Sequence, residues 1–340
     1  MNWNDVLLEQ LAKRPVGGYH QESSAATEPT ALACLALAAH GRQCPARDGA
    51  RWLTDLQAAD GSVGIRQGQP TPRWATPLAV MAWQAVDSRQ PSAQLADSIR
   101  RACRWIFHLR GKAIEDAPLL GHNTHLVAWP WVEGTHSWIE PTALCVLALK
   151  VAGCDQQART REGVAMLVDR LLPTGGCNYG NTSVMGRQLR PHVQPTALAL
   201  LALVGEKSAA DKIPRSLAYL RRHLTPRTTA VSLAWGLQAL ASHHATPRDA
   251  PTWLEQAAER ELKQRQPSTH RLALLALAAA DSASLWSGIG GMQSERMGSV
   301  HRCPVEAGDS SDLMTATVSV HALRAGPPPP QHCRHTPSHP

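Results

Sequence analysis

Residues 139 to 153 read IEPTALCVLALKVAG, from Ile139 to Gly153, and carry only two charges, Glu140 and Lys150. Ala and Leu recur on every face of the implied helix, and a helix that is apolar all round has to be buried all round. The same phrase returns along the chain as EPTALACLAL from Glu28, WATPLAVMAW from Trp74 and VQPTALALLALVG from Val193. Weaker copies begin at Thr229 (TAVSLAWGLQAL), Ser268 (STHRLALLALAAA) and Thr315 (TATVSVHALRAG). A repeated unit that cannot bury its apolar face alone stacks on its neighbours. Seven buried helices are therefore expected.

Between the copies run helices of another kind, with one apolar stripe and one charged face. They start near Ala46, Ser92, Thr160, Asp211 and Asp249. Alternation of buried and half-buried helices implies two concentric layers, so the expected fold is all-α, an α/α toroid or (α/α)6-barrel-like ring of inner and outer helices. Glu28-Pro29-Thr30, Glu140-Pro141-Thr142 and Gln194-Pro195-Thr196 put proline in a first helical turn, where its missing N–H costs nothing. The polar residue before each proline is expected to cap. Glycine-rich turns at Gly17-Gly18, Gly61 to Gly64 and Gly175-Gly176 suit helix stops.

Composition agrees with a globular chain. Hydrophobic residues make up 43% and charged residues 18%, which excludes disorder for the bulk. The net charge is +7. Its densest runs, around Arg100 to Lys112 and Arg221 to Arg227, lie on helical patterns with no aromatic platform beside them, so no nucleic-acid partner is expected. The first residues, MNWNDVLLEQLAKR, do not read as a secretory signal, and no apolar run approaches the roughly 20 residues a spanning helix needs. A cytoplasmic protein with no transmembrane segment is expected, its cysteines mostly buried free thiols. The expected organisation is one toroid over residues 1–326 and a disordered, Pro/His-rich tail over 327–340.

Arg51-Trp52-Leu53-Thr54-Asp55-Leu56-Gln57-Ala58-Ala59-Asp60-Gly61-Ser62 resembles the QW motif of the prenyltransferase/squalene oxidase repeat superfamily, which includes terpenoid cyclases and protein prenyltransferase β-subunits. Partial copies stand at Trp105-Ile106, Tyr219-Leu220 and Trp253-Leu254. The resemblance covers about residues 2 to 326 and implies an α/α barrel whose central cavity holds an isoprenoid chain. The motif also reads physically, the Gln bridging helix-end backbone groups while the aromatic ring packs on the next repeat.

The family's chemical signatures are missing. No D-x-D-D proton donor occurs; the nearest pattern is Asp309-Ser310-Ser311-Asp312. Glu28 and Glu140 stand beside helix N-termini, where the ionised form is favoured, and are expected to be poor acids. No D-x-C zinc pair occurs, and Asp312-Leu313-Met314-Thr315 puts Met314 where the resemblance implies a zinc-binding His. His301, Cys303, Asp309 and His321 cluster in sequence as a scattered candidate set, but no metal is expected. No lanthionine-cyclase Cys-His pair, thioester segment, G-x-S-x-G elbow or P-loop is present, and Gly288-Ile289-Gly290-Gly291 lacks a preceding strand. No cofactor is expected.

The remaining signal is the insert GHNTHLVAWPWVEGTHSWIEPTA from Gly121, which crowds Trp129, Trp131 and Trp138 into one loop of a chain with eleven Trp, three Tyr and one Phe. These rings either line a cavity mouth or staple a loop to the rim. His122-x-x-His125 reads as structural. Together with the loop before the fourth phrase, the insert gives the candidate ligand site: Trp129, Trp131, His136, Trp138, Glu140, Asn178, Tyr179 and Asn181. The expected ligand is isoprenoid or another long apolar molecule, with cyclase-like or prenyl-transfer chemistry. The alternative is a noncatalytic scaffold that presents its rim to a protein partner.

Overall fold

A computed structural model describes residues 2–20, 22–114 and 120–280, with Cys303 and Val305. The helices are α1 (Trp3–Lys13), α2 (Thr27–Ala39), α3 (Gln43–Asp55), α4 (Thr76–Asp87), α5 (Ala93–His108), α6 (Ile139–Val151), α7 (Ala158–Arg170), α8 (Val193–Ala202), α9 (Ile213–His223), α10 (Ala230–Ser242), α11 (Ala250–Leu262) and α12 (Thr269–Ala279). The strands β1 (Ser183–Val184) and β2 (Arg187–Gln188) form one small hairpin. Among the described residues no helix is long and apolar enough to cross a membrane.

The all-apolar helices form a ring. Around it α2 packs on α4, α4 on α6, α6 on α8, α8 on α10, α10 on α12, and α12 back on α2. Outside lie α3 against α2, α5 against α4, α7 against α6, α9 against α8 and α11 against α10 and α12, while α1 covers α12 and α11. Six inner and six outer helices thus close the ring by Ala279, and the seventh phrase at Thr315 is not needed for closure. That phrase lies outside the described residues, as does the expected limit at 326; by its contacts the chain divides at Ala307 and Gly308. The ring is filled. Between Thr30 and Ala38 no residue of α2 is more than 3% exposed, and between Thr196 and Ala202 none of α8 exceeds 2%.

Three local devices hold the repeats together. The first is the threonine of the phrase, whose Oγ1 takes a hydrogen bond from a loop N–H: Gly17 to Thr30 (3.2 Å), Val63 to Thr76 (2.9 Å), Trp129 to Thr142 (3.2 Å) and Cys177 to Thr196 (2.9 Å). Each hydroxyl pins the strap arriving from the preceding outer helix. This corrects the capping expectation: Glu28, Glu140 and Gln194 are second residues of their helices, after Ala26, Trp138 and His192 as N-caps, and make no capping bond. Replacing Thr76 by Val keeps the shape but leaves the buried Val63 N–H without its partner. The expected loss is about 1–3 kcal/mol of unfolding free energy, measured by urea titration.

The second device is the Gln of the QW motif. Gln57 Nε2 donates to the carbonyls of Gly61 and of Ser98 on α5, each at 2.9 Å, and its Oε1 accepts from Arg101. Gly61 completes the turn at φ +90°, with the Arg101 carbonyl where a Cβ would stand. The third device works at the opposite ends of the ring helices, where a basic side chain satisfies the neighbour's last carbonyls. His40 reaches Ala276 of α12 (2.9 Å), His243 reaches Leu200 of α8 (2.9 Å), and Lys150 Nζ reaches Ala202 of α8 (2.8 Å).

Cysteine usage follows burial, with one exception. Cys34, Cys103, Cys145 and Cys177 are buried free thiols, raised in pKa by burial, and Cys44 is exposed. Cys154 and Cys303 form a disulfide. A sulfur so bonded is no thiolate ligand, which removes Cys303 from the scattered metal set; His301, Asp309 and His321 lie outside the described residues.

Candidate functional site

The ring helices begin at one rim, and their second residues form a ring of their own. Going round from α2 to α12 these are Glu28, Pro77, Glu140, Gln194, Val231 and His270. Four of the six are polar, in helices whose buried residues are mostly Ala and Leu. Sequence reading marked Glu140 alone as a site residue. The signal for the rest was the shared position in the repeated phrase, which places Glu28, Gln194 and His270 on the same circle.

The two carboxyls, on either side of α4, have different surroundings. Glu28 is half-buried; Tyr19 Oη donates to its Oε2, and His270 Nε2 lies 3.4 Å from its Oε1. The Tyr19 and His270 rings lie 5.5 Å apart. Burial works against ionising Glu28, but the His270 contact and the Tyr19 bond outweigh it and hold the carboxyl below its ordinary value. Glu140 is only 7% exposed, and its Oε1 has no hydrogen-bond partner. Burial, and then the charge of Glu28, push its pKa from 4.5 up to about 7. Glu28 is lowered, but by His270 and Tyr19, and Glu140 is raised against the expectation, by burial and then by the like charge of Glu28.

The eight expected site residues fall into three groups. Glu140 and Tyr179 stand at the rim. The Tyr179 ring is exposed and lies 5.0 Å from the His192 ring, while its carbonyl takes the Ile139 N–H at 2.8 Å. His136, Trp138 and Asn181 line a cavity of about 220 Å³. Trp129, Trp131 and Asn178 hold loops in place.

Trp129 is fully buried, its indole N–H donating to the Ile106 carbonyl at 2.8 Å and its ring stacked 3.9 Å from the Arg159 guanidinium. It offers a ligand no surface. Arg159, itself buried, binds the carbonyls of Leu109, Val127 and Ala128 at 2.7–2.9 Å and so clamps the insert from beneath. Trp131 meets Trp74 edge-on with ring centres 5.1 Å apart. Beside it Arg73 bridges Asp60 (3.0 Å) and Glu133 (3.2 Å). Asn178 is used up by its own loop, donating to the Arg190 carbonyl and accepting from the Tyr179 N–H. Trp129 and Trp131 are held in packing contacts, whereas Trp138 is 38% exposed and lines the cavity. Among the described residues no three His, Cys, Asp or Glu side chains are placed to hold a metal ion.

No protein-family model matches the chain, and no curated protein matches it. Solved structures do. An unsaturated glucuronyl hydrolase specific for heparin superposes with a TM-score of 0.55 at 9% identity, over 84% of this chain and 95% of its own. A glycosidase variant superposes at 0.56 and 9%, over 82% and 98%. A type II terpene cyclase from Scytonema, solved with geranylgeranyl dihydroxybenzoate, reaches 0.42 at 15%, over 76% and 79%. At such identities the likeness is one of architecture. The chain is an all-α protein with the fold of an α/α toroid.

Proposed function

We propose that the protein is a hydrolase of glycosidic or comparable acetal bonds, working at the rim with Glu140 as proton donor and Glu28 as permanent anion. The supporting observation is the arrangement of two carboxyls on one circle, one tied by Tyr19 and His270 and the other buried with an unpartnered oxygen. Pairs of carboxyls whose surroundings split their titration divide into an acid and an anion, which is the requirement for acetal cleavage. Glu140 gives its proton to the leaving oxygen as the C–O bond breaks, and Glu28 faces the positive charge that develops. Water then adds at carbon and returns its proton to Glu140, so the enzyme ends as it began. The exposed rings of Tyr19, Trp138 and Tyr179 supply flat faces for sugar rings.

This reading departs from the isoprenoid ligand that the family resemblance implies. The filled ring offers no chamber to a long apolar chain among the described residues, and an acid with a pKa near 7 is too weak to protonate an alkene. The same filled ring favours a second reading, a noncatalytic scaffold whose rim binds a protein partner. Reducing-sugar release from a panel of glycosides and oligosaccharides separates the two. Turnover is expected to fall as pH rises past about 7, where Glu140 loses its proton. The absence of turnover on every member of the panel by the folded protein would leave the scaffold reading.

A further inference from the structure

The cavity beside the rim has a chemical character of its own. Its walls bring together Lys112, His122, His136 and Arg170 with Trp138 and Asn181. Arg170, the last residue of α7, is only 6% exposed. Its Nη1 is occupied by Asp169 and by the Asn123 carbonyl (3.2 Å), but its Nε is buried with no hydrogen-bond partner. A buried guanidinium N–H left unmade is costly unless something else takes it. Asp169 is the acid beside it and also accepts the Asn123 N–H at 3.2 Å. Among the described residues that line the cavity there are two permanent cations, two imidazoles and no carboxylate. Lys112 reaches this wall because its strand bridges His136, the Lys112 N–H donating to the Thr135 carbonyl at 2.8 Å.

We propose that this cavity binds an anionic group, a carboxylate or an oxoanion, carried by the ligand that the rim acts on. The Arg170 guanidinium and the Lys112 ammonium supply charge-assisted hydrogen bonds to it, and the fork of an arginine suits such groups in particular. Trp138 lines this cavity and stands two residues before Glu140, so a sugar ring stacked on its exposed indole would carry its acid toward Arg170 and its linkage toward the rim. Only the identity of the carrier rests on the hydrolase reading; the anion site stands on the cavity itself.

The test is calorimetric titration of the whole chain at low ionic strength with galacturonate, galactose and inorganic sulfate. Galacturonate should bind and galactose should not, with binding weakened by added salt. Sulfate that displaces galacturonate would make the site one for oxoanions in general. Arg170→Gln removes the orphan donor but also an anchor of Asn123, so Lys112→Gln, at an exposed residue outside the acid pair, serves as the second variant. It should weaken binding about three- to tenfold, and Lys112→Arg should restore it. Equal affinity for galacturonate and galactose, or an unchanged affinity in Lys112→Gln, would overturn the proposal. Anion binding without hydrolysis of any glycoside would sink the rim reading and leave this site; hydrolysis of neutral glycosides with no anion binding would do the reverse.

Discussion

Replacing Glu140 by Gln will stabilise the folded chain by about 3 kcal/mol at pH 8 and change it little at pH 4. The reason is the displacement of this carboxyl from 4.5 to about 7, caused by burial and then by Glu28. Below 4.5 the folded and unfolded chains both hold the proton. Between 4.5 and 7 the unfolded chain releases it and the folded chain does not, so the wild type loses stability as pH rises. Above 7 the loss is complete, because the folded protein must carry a poorly solvated charge beside another. Glutamine fills the same space without that cost. Urea midpoints at pH 4, 6 and 8 for both proteins check the expectation, and a difference that does not vary with pH would contradict it. On the hydrolase reading the same replacement removes the proton donor and lowers kcat by about 10²–10⁴, so stability and activity move in opposite directions, as they do at sites kept strained for function.

Replacing Glu206 by Ala will cost about 3–5 kcal/mol, the larger structural effect in the molecule. Lys150 carries its ammonium into the core at the far ends of α6 and α8, with its side chain 2% exposed, and Glu206 Oε1 meets it at 2.7 Å. Burial lowers the Lys150 pKa, and Glu206 works in the opposite direction. Without Glu206 the ammonium retains the Ala202 and Val204 carbonyls and only the weaker attraction of Asp155. Arg161, which also pairs with Glu206 at 2.8 Å, is 39% exposed on its side chain. Arg161→Ala should therefore cost less than about 1 kcal/mol. Chemical denaturation of the two variants side by side checks the contrast; equal losses would show that Lys150 does not depend on its partner.

The architecture was legible because each buried helix announces itself locally. IEPTALCVLALKVAG has no polar face to offer solvent, and six such segments alternating with striped helices can only close on one another. The role of Gln57 was legible for the same reason, since its partners lie one turn away and on the next outer helix. The capping of the inner helices was misread. Proline fixes a first turn but does not tell its second position from its cap, and the pinning bond of Thr142 runs to Trp129, in a strap whose course depends on the fold. The site was legible only in part. Glu140 and Tyr179 share the rim, yet the raised pKa of Glu140 depends on burial and then on Glu28, whose own partners Tyr19 and His270 come from the first and last repeats of the ring. No local rule brings these together. Crowded tryptophans likewise suggest a mouth, whereas Trp129 is buried because Arg159, from the following helix, stacks on it.

The central claim is that the rim holds one carboxyl kept protonated and one kept ionised. Site-resolved titration of ¹³C-labelled glutamate side chains by NMR, with Glu140→Gln and Glu28→Gln to assign the two signals, tests it most directly. Glu140 should titrate near 7 and Glu28 below 4.5, and Glu28→Gln should lower the Glu140 midpoint by removing the like charge. Two ordinary carboxyls titrating together near 4.5 would contradict the account.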